Sequence, residues 1–198
     1  MNDQPRLAQQ IEFLVEIDKL KSVLRRSWLM DTSRRENDAE HSWHLGVLAM
    51  LMAEYAPQPE LDLLRVIKMV LLHDLVEIDA GDTYAYDPVG QLDQGERERK
   101  AADRIFHILP ADQAREFRGL WDEFEARETP EARFAVAIDC FQPFLHNYCT
   151  QGKAWREHGV TADQVIARTR RIADGAPVLC EYVDDLIRKA VAKGYLAE

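Results

Sequence analysis

Four ionisable side chains lie where the sequence otherwise predicts burial. His73 and Asp74 directly follow an apolar run, Asp139 is the one acid within the apolar residues 134–141, and His41 stands near the start of another apolar segment. Burying a charged group is costly unless a partner compensates it. Four such groups on three predicted helices suggest a metal ion in the core of a helical bundle, which is a common way for bundles to build a site.

Each of these residues also has an ordinary structural explanation. A single histidine on a helix is commonly a core or surface residue, and a single aspartate commonly forms an ion pair or a helix cap. His44 lies three residues after His41, but the zinc-protease motif His-Glu-x-x-His is absent. We therefore interpret His44 as a packing or supporting residue. The combination of all four groups favours a metal site over the separate explanations.

The spacing of apolar residues predicts the helices that must position these side chains. No segment alternates as a half-buried strand would, and residues 27–36 and 79–94 are expected to be irregular. Asn37 or Asp38 is expected to cap the helix of His41, and Thr129 with Pro130 the helix of Asp139. The predicted helices cover about residues 7–24, 38–55, 60–72, 95–108, 111–126, 130–148, 161–173 and 177–193.

These elements predict an all-α fold. We expect a single domain over residues 1–198, with a helical-bundle core at about residues 10–147 and further helices at about 151–193. The apolar C-terminal helices either complete the core of a monomer or pack a two-fold interface. The second reading predicts a homodimer.

Composition and charge narrow the class of protein. Apolar residues make up 46% of the chain and charged residues 30%, as in ordinary globular proteins. The three cysteines form no Cys-x-x-Cys motif, and neither a signal peptide nor a membrane span is recognisable, so we expect a soluble cytoplasmic protein. A net charge of -10 argues against nucleic acid as a partner, but it is compatible with a small phosphorylated substrate held by local arginines and a metal.

The order His … His-Asp … Asp on successive helices resembles the HD superfamily of metal-dependent phosphohydrolases, and within it the 5′-deoxynucleotidase branch. The likeness covers roughly residues 10–147. The segments that carry it are Leu20-Lys21 with Arg25, Arg35-Glu36-Asn37, Ala39-Glu40-His41-Ser42, His73-Asp74-x-x-Glu77, Gly81-Asp82 and Ile138-Asp139.

The resemblance implies a role for each matching residue. The metal ligands of the family fall on His41, His73, Asp74 and Asp139, and its catalytic acid falls on Glu77. The remaining implied roles are a second catalytic carboxylate at Asp82, phosphate binding by Arg25 or Arg26, and sugar recognition by Trp28.

Two imidazoles and two carboxylates suit one divalent ion with open coordination positions, such as Mn²⁺, Co²⁺, Fe²⁺ or Ni²⁺, and the sequence does not separate these from Zn²⁺ or Mg²⁺. Glu77 stands one turn beyond His73, where it could orient water or protonate a leaving oxygen if burial raises its pKa. Otherwise Glu77 is a surface acid. Arg34 and Arg35 are interpreted as ordinary surface charges.

The leading functional hypothesis is hydrolysis of nucleoside 5′-monophosphates, with deoxynucleotides as the expected substrates. The alternatives are another phosphoester (a nucleoside triphosphate, a cyclic dinucleotide or (p)ppGpp) and a non-catalytic nucleotide-binding helical protein. Asp79, Asp82 and Asp87 are expected near the mouth of the site, where they would repel a triphosphate. The sequence therefore predicts a preference for monophosphates.

Overall fold

A computed structural model of the chain describes residues 4–198. Short 3-10 segments follow the first three helices, at Asp18–Ser22, Ala53–Tyr55 and His73–Val76. The α-helices are α1 Gln4–Ile17, α2 Asp38–Met52, α3 Leu63–Leu72, α4 Glu77–Ala80, α5 Gln94–Phe106, α6 Ala111–Ala126, α7 Pro130–Cys149, α8 Lys153–His158, α9 Ala162–Thr169, α10 Ile172–Gly175 and α11 Pro177–Ala192. The prediction of an all-α fold is confirmed, with one small sheet as the exception.

That sheet is an antiparallel pair of strands, β1 Leu24–Trp28 and β2 Arg35–Asn37, in the segment predicted to be a loop. The prediction of no strand was wrong here because the inward face of the pair is polar. Ser27 donates a hydrogen bond to Glu36 across the pair at 3.0 Å, and both side chains are buried. Apolar alternation, the usual signal of a half-buried strand, is therefore missing.

Other helix boundaries differ modestly from the prediction. The first predicted helix ends at Ile17 instead of about residue 24, and the helix predicted over residues 161–173 is interrupted between α9 and α10. His73 and Asp74 lie in the 3-10 segment that follows α3. The bounds of α6 agree with the prediction, and those of α5, α7 and α11 agree to within two residues.

Helix α7 lies at the centre of the molecule and packs against α2, α3, α6 and α10. It begins with Pro130 at its first position, and the Thr129 side chain caps it by accepting a hydrogen bond from the Ala132 amide at 3.2 Å. The buried apolar side chains form one continuous core from Phe13 to Leu196. Asp139 is therefore carried by the most enclosed helix of the fold.

No helix within residues 4–198 has the length and hydropathy required to cross a membrane. The outer face of α11 exposes two large side chains, Val178 at 54% and Tyr182 at 53%. The homodimer expected from the C-terminal helices stays a prediction.

Candidate metal centre and cavity

The four predicted metal ligands meet at one point between α2, the His73–Val76 segment and α7. Nε2 of His41 lies 3.1 Å from Oδ1 of Asp139 and 3.8 Å from Oδ2 of Asp74. Nε2 of His73 lies 3.0 Å from Oδ1 of Asp74 and 3.6 Å from Oδ1 of Asp139. The fold thus brings together two imidazoles and two carboxylates that are up to 98 residues apart in the chain.

Both imidazoles are held by their other ring nitrogen. Nδ1 of His73 lies 2.9 Å from the carbonyl oxygen of Val70, and Nδ1 of His41 lies 2.9 Å from the side-chain oxygen of Gln142. Since each of these partners can only accept, both Nδ1 atoms carry the proton, and a neutral ring then directs the lone pair of Nε2 at the carboxylates. A lone pair facing a carboxylate oxygen needs a proton or a cation between them.

The residues present fit a divalent metal ion. Nε2 of His73 is buried and has no hydrogen-bond partner of good geometry among residues 4–198. Two imidazole nitrogens and two carboxylates form a mixed nitrogen and oxygen donor set, which suits divalent transition metals. Contacts from the Nδ1 side that fix the orientation of the imidazoles are the usual arrangement around such ions.

The protonation of the cluster follows from opposed effects. Burial alone would raise the pKa of Asp139, but the adjacent imidazole groups of His41 and His73 hold it well below its usual value. Burial opposes charge on His73 as well, yet the neighbouring Asp74 and Asp139 raise its pKa to about 10, and the pKa of Asp74 falls to about 2. Both carboxylates are therefore ionised at neutral pH and attract positive charge into the site.

A second group of carboxylates lies beside the first. Asp38, Asp74 and Glu77 offer oxygens within 4.8 Å of one another, and all three residues are buried. Arg25 holds two of them, because its Nη1 lies 3.1 Å from Oδ1 of Asp38 and 2.8 Å from Oδ2 of Asp74. The guanidinium thus supplies the positive charge that these two acids require.

Glu77 is the carboxylate of this group that Arg25 does not reach at hydrogen-bond distance. It is 8% exposed, and its Oε2 has no hydrogen-bond partner among residues 4–198. Burial, followed by the charges of Asp74 and Asp38, raises the pKa of Glu77 well above its usual value. This environment therefore gives Glu77 the raised pKa that a proton donor requires.

Gln142 was missed by the sequence reasoning, although it joins the metal centre to a second polar cluster. Its amide nitrogen donates to Oε1 of Glu36 at 2.6 Å and lies 3.0 Å from Nε2 of His146. His146 in turn contacts the carbonyl oxygen of Trp28 through Nδ1 at 3.0 Å. A signal was present, because positions 139, 142 and 146 place polar residues at helical spacing on an otherwise apolar helix.

His44 reaches the same cluster, with Nδ1 3.3 Å from the amide nitrogen of Gln142. Glu36, His44 and His146 offer donor atoms close enough to one another to hold an ion. The Gln142 amide lies between these groups and His41, so a supporting role for His44 stays a prediction that this contact favours.

A cavity of about 390 Å³ opens onto the metal centre. Its volume is within the range of small-ligand sites. Asp82 and Arg26 lie on its wall, and burial raises the pKa of Asp82. The principal lining residues fall into acids (Asp74, Glu77, Asp82, Glu98, Glu125, Asp139), arginines (Arg25, Arg26, Arg127, Arg168, Arg171) and aromatics (Tyr84, Tyr86, Trp121, Phe124, Phe144).

Trp28 is the predicted substrate-binding residue that the fold does not place on the cavity wall. Its indole nitrogen donates to Glu157 at 3.0 Å, and the ring is covered by Arg35 and Lys153, whose cationic groups lie 4.3 and 3.6 Å from the ring centroid. Trp28 therefore anchors β1 to the C-terminal helices in this structure. Its contact with a sugar stays a prediction.

Two acids expected at the mouth of the site lie elsewhere. Asp79 forms an ion pair with Arg104, and Asp87 accepts hydrogen bonds from the amides of Val89 and Gly90. Neither lines the cavity, whereas Asp82 does. The expectation that all three carboxylates face the ligand was wrong, because Asp79 pairs with Arg104 on α5 and Asp87 bonds with the amides of its own turn.

Comparisons with known proteins bear on this arrangement. A family model described as HD domain matches residues 17–179. The solved structure of a protein described as "Predicted metal-dependent phosphohydrolase" from Magnetospirillum magnetotacticum MS-1 is 52% identical, covers 100% of this chain and 99% of its own, and superposes with a TM-score of 0.95. An HD-domain phosphohydrolase from Listeria innocua shares the fold with a TM-score of 0.67, at 16% identity over 93% of this chain and 90% of its own.

Curated relatives are more distant in sequence. Human 5′-deoxynucleotidase HDDC2 is 29% identical over 130 residues, which cover 65% of this chain and 62% of the human protein. The 5′-deoxynucleotidase hdd1 of Schizosaccharomyces pombe is 30% identical over 137 residues, which cover 67% of each chain. This chain therefore spans less than two thirds of the length of the human relative.

Proposed function

The chain belongs to the HD-domain family, and on that premise we propose that it is a metal-dependent phosphohydrolase that cleaves nucleoside 5′-monophosphates to nucleoside and phosphate. The observation that carries the proposal is the convergence of His41, His73, Asp74 and Asp139, of which the last three line a cavity that also contains arginines and the buried carboxyl group of Glu77. The resemblance stated from the sequence is thereby confirmed at the level of the family.

His41, His73, Asp74 and Asp139 are proposed to hold the ion. A divalent metal held by these residues would supply a Lewis acid for a phosphoryl oxygen and for the attacking water. The Val70 carbonyl and the Gln142 amide keep the two Nε2 atoms directed at the ion. Arg25 balances the charge of Asp74 and Asp38, so it organises the acidic wall.

Glu77 is proposed to move the proton of the reaction. Hydrolysis joins a water oxygen to phosphorus and breaks the bond from phosphorus to the 5′ oxygen, which must take up a proton. A buried carboxyl with a raised pKa can hold that proton at neutral pH. Asp82, half-buried on the same wall, is proposed to orient water or substrate.

The nucleotide substrate is supported by the two curated relatives, both named 5′-deoxynucleotidase. The rings of Tyr84 and Tyr86 lie on the cavity wall with their centroids 5.3 Å apart, and they give apolar surface for a nucleoside. The cyclic-dinucleotide alternative is less favoured, since Arg25 already supplies positive charge beside Asp38 and Asp74 where a second ion would be needed.

A hydrolysis screen on metal-loaded protein, in which inorganic phosphate and the nucleotide products are both measured, tests the proposal. Deoxy- and ribonucleoside 5′-monophosphates, triphosphates, a cyclic dinucleotide and (p)ppGpp would be compared with Mn²⁺, Co²⁺, Ni²⁺ and Mg²⁺ in turn. We expect release from 5′-monophosphates, and we expect Asp139→Asn to lose both metal and activity. Wild-type protein that binds metal but releases phosphate from none of these compounds would contradict it, as would an active Asp139→Asn variant with full metal content.

A further inference from the structure

Three arginines from the C-terminal half of the chain converge on one side of the cavity. Arg127 ends α6, Arg168 lies in the last turn of α9, and Arg171 immediately precedes α10. All three line the cavity near Asp139 and Cys140. These arginines are not part of the His … His-Asp … Asp pattern from which the metal centre was predicted.

These guanidinium groups are poorly paired within the part of the chain that the structure describes. Arg168 approaches Oδ2 of Asp139 at 3.7 Å, which is beyond hydrogen-bond distance. Arg127 approaches Glu125 at 4.0 Å, and its buried Nε has no partner. Arg171 forms no ion pair or hydrogen bond with a side chain of residues 4–198. Arg25, by contrast, is already engaged with two carboxylates.

The electrostatics of the group favour an anion. Arg171 is exposed, but partial desolvation at the cavity wall, followed by the charges of Arg168 and Arg127, lowers its pKa. The acids that face the three arginines are Asp139, whose charge a bound metal would share, and Glu125. Three neighbouring cations with so little compensation repel one another until an anion lies between them.

We propose that Arg168, Arg171 and Arg127 form the binding site for the phosphate group of the substrate, a dianionic phosphomonoester. The assignment rests on the proposed function of the metal centre. Arg168 is suited to the role because its guanidinium group lies beside Asp139, so a phosphate bound by Arg168 would lie next to the proposed metal position. Planar guanidinium groups bind phosphate oxygens in pairs, which adds direction to the charge attraction.

The inference gives a function to the C-terminal helices. Arg168 and Arg171 are three residues apart across the junction between α9 and α10, so the break between these two helices presents both side chains to the cavity. Arg170 lies between them, is exposed, and does not line the cavity. Arg170 is therefore a matched control for substitutions of Arg168 and Arg171.

Calorimetric titration of inorganic phosphate into metal-loaded protein tests the assignment. We expect Arg168→Gln and Arg171→Gln each to weaken phosphate binding about ten-fold or more, as the loss of a charge-assisted hydrogen bond would. Arg170→Gln should bind as the wild type does. Metal content and thermal midpoint are measured on every variant, so that loss of the ion or of the fold is recognised; Arg171 is exposed, and its replacement should leave the fold intact.

The outcomes separate this site from the proposed function. Wild-type protein that fails to bind phosphate, or Arg168→Gln and Arg171→Gln variants that bind it as tightly as Arg170→Gln, would overturn the arginine site even if nucleotides are hydrolysed. Arginine-dependent phosphate binding in a protein that hydrolyses no 5′-nucleotide would retain the site and reject the nucleotidase.

Discussion

The two imidazoles of the metal centre are fixed in different ways. His73 is held by a backbone carbonyl, that of Val70, so the course of α3 sets its orientation. His41 is held by the side chain of Gln142, whose own orientation depends on Glu36 and His146. A main-chain carbonyl cannot be removed by substitution, whereas the Gln142 side chain can be replaced. The contact at Nδ1 of His41 is therefore the one that a variant can test.

Replacing Gln142 with methionine should weaken metal binding while all four ligands remain. Methionine has a similar size but offers no strong acceptor to His41 and no donor to Glu36. Loss of such a supporting contact commonly costs about 10–100-fold in metal affinity. Chelator competition would measure it, with Cys149→Ser, an exposed site on the same helix, as the control. Equal affinities of the two variants would show that the amide does not position His41.

Replacing Glu77 with glutamine should remove turnover without removing the metal. The amide keeps the shape of the side chain but cannot transfer a proton, and proton transfer contributes about 10²–10⁴ in rate. Single-turnover phosphate release and metal analysis would be compared with Glu98→Gln, another buried acid on the cavity wall. A Glu77→Gln variant that keeps most of its kcat would leave Asp82 as the next candidate.

At the scale of elements, the packing of α7 against α10 sets the position of Arg171 relative to Asp139 in the cavity. α7 carries Asp139, and α10 follows directly after Arg171. The two helices approach closely because Gly175 has no side chain: a Cβ at this position would lie 2.2 Å from the carbonyl oxygen of Arg133. The position of Arg171 thus depends on a backbone contact about one helical turn away.

Replacing Gly175 with alanine should destabilise the fold. The added methyl group would meet backbone atoms, which cannot rotate away, and overpacking of this kind costs about 1–3 kcal/mol or more. Gly119→Ala is the matched control, because nothing lies within 4 Å of the added Cβ and alanine is favoured over glycine within a helix such as α6 by up to about 1 kcal/mol. Denaturant unfolding should give opposite signs for the two variants, and a neutral or stabilising Gly175→Ala would contradict the close approach.

The helices, and the polar residues that we propose as metal ligands, could be recognised in the sequence because both leave a local mark. The ends of α6 and α7 follow from apolar periodicity and a Thr-Pro cap, and Asp139 is conspicuous among apolar neighbours. The strands β1 and β2 were not predictable, since their inward side chains bond with each other instead of forming an apolar face. The arginines of α9 and α10 resemble ordinary surface charges until tertiary packing turns them towards the cavity.

At the scale of the whole molecule, a net charge of -10 surrounds a cavity with two unlike walls. Acids and Arg25 line the side near Glu77 and Asp82, and the three arginines line the side near Asp139. The overall field repels anions, so attraction for a phosphorylated ligand must come from the metal and from these few cations at short range. The chain can therefore select an anion by its charge as well as its shape.

We expect nucleoside 5′-monophosphates to be cleaved with a kcat/KM at least ten-fold above that of the matching triphosphates, which is about 1.4 kcal/mol of transition-state discrimination. A monophosphate carries about two charges near neutral pH, which the metal and one or two arginines can neutralise. The two further phosphates of a triphosphate would extend beyond the three arginines. The cavity there has a volume of only about 390 Å³ and also contains Asp82, Glu98 and Glu125. Steady-state kinetics on 2′-deoxyadenosine 5′-mono- and triphosphate would measure the ratio, with free metal held constant because the triphosphate chelates it. Equal efficiencies, or a preference for the triphosphate, would show that the three arginines accommodate a longer phosphate chain and that the substrate class is wrong.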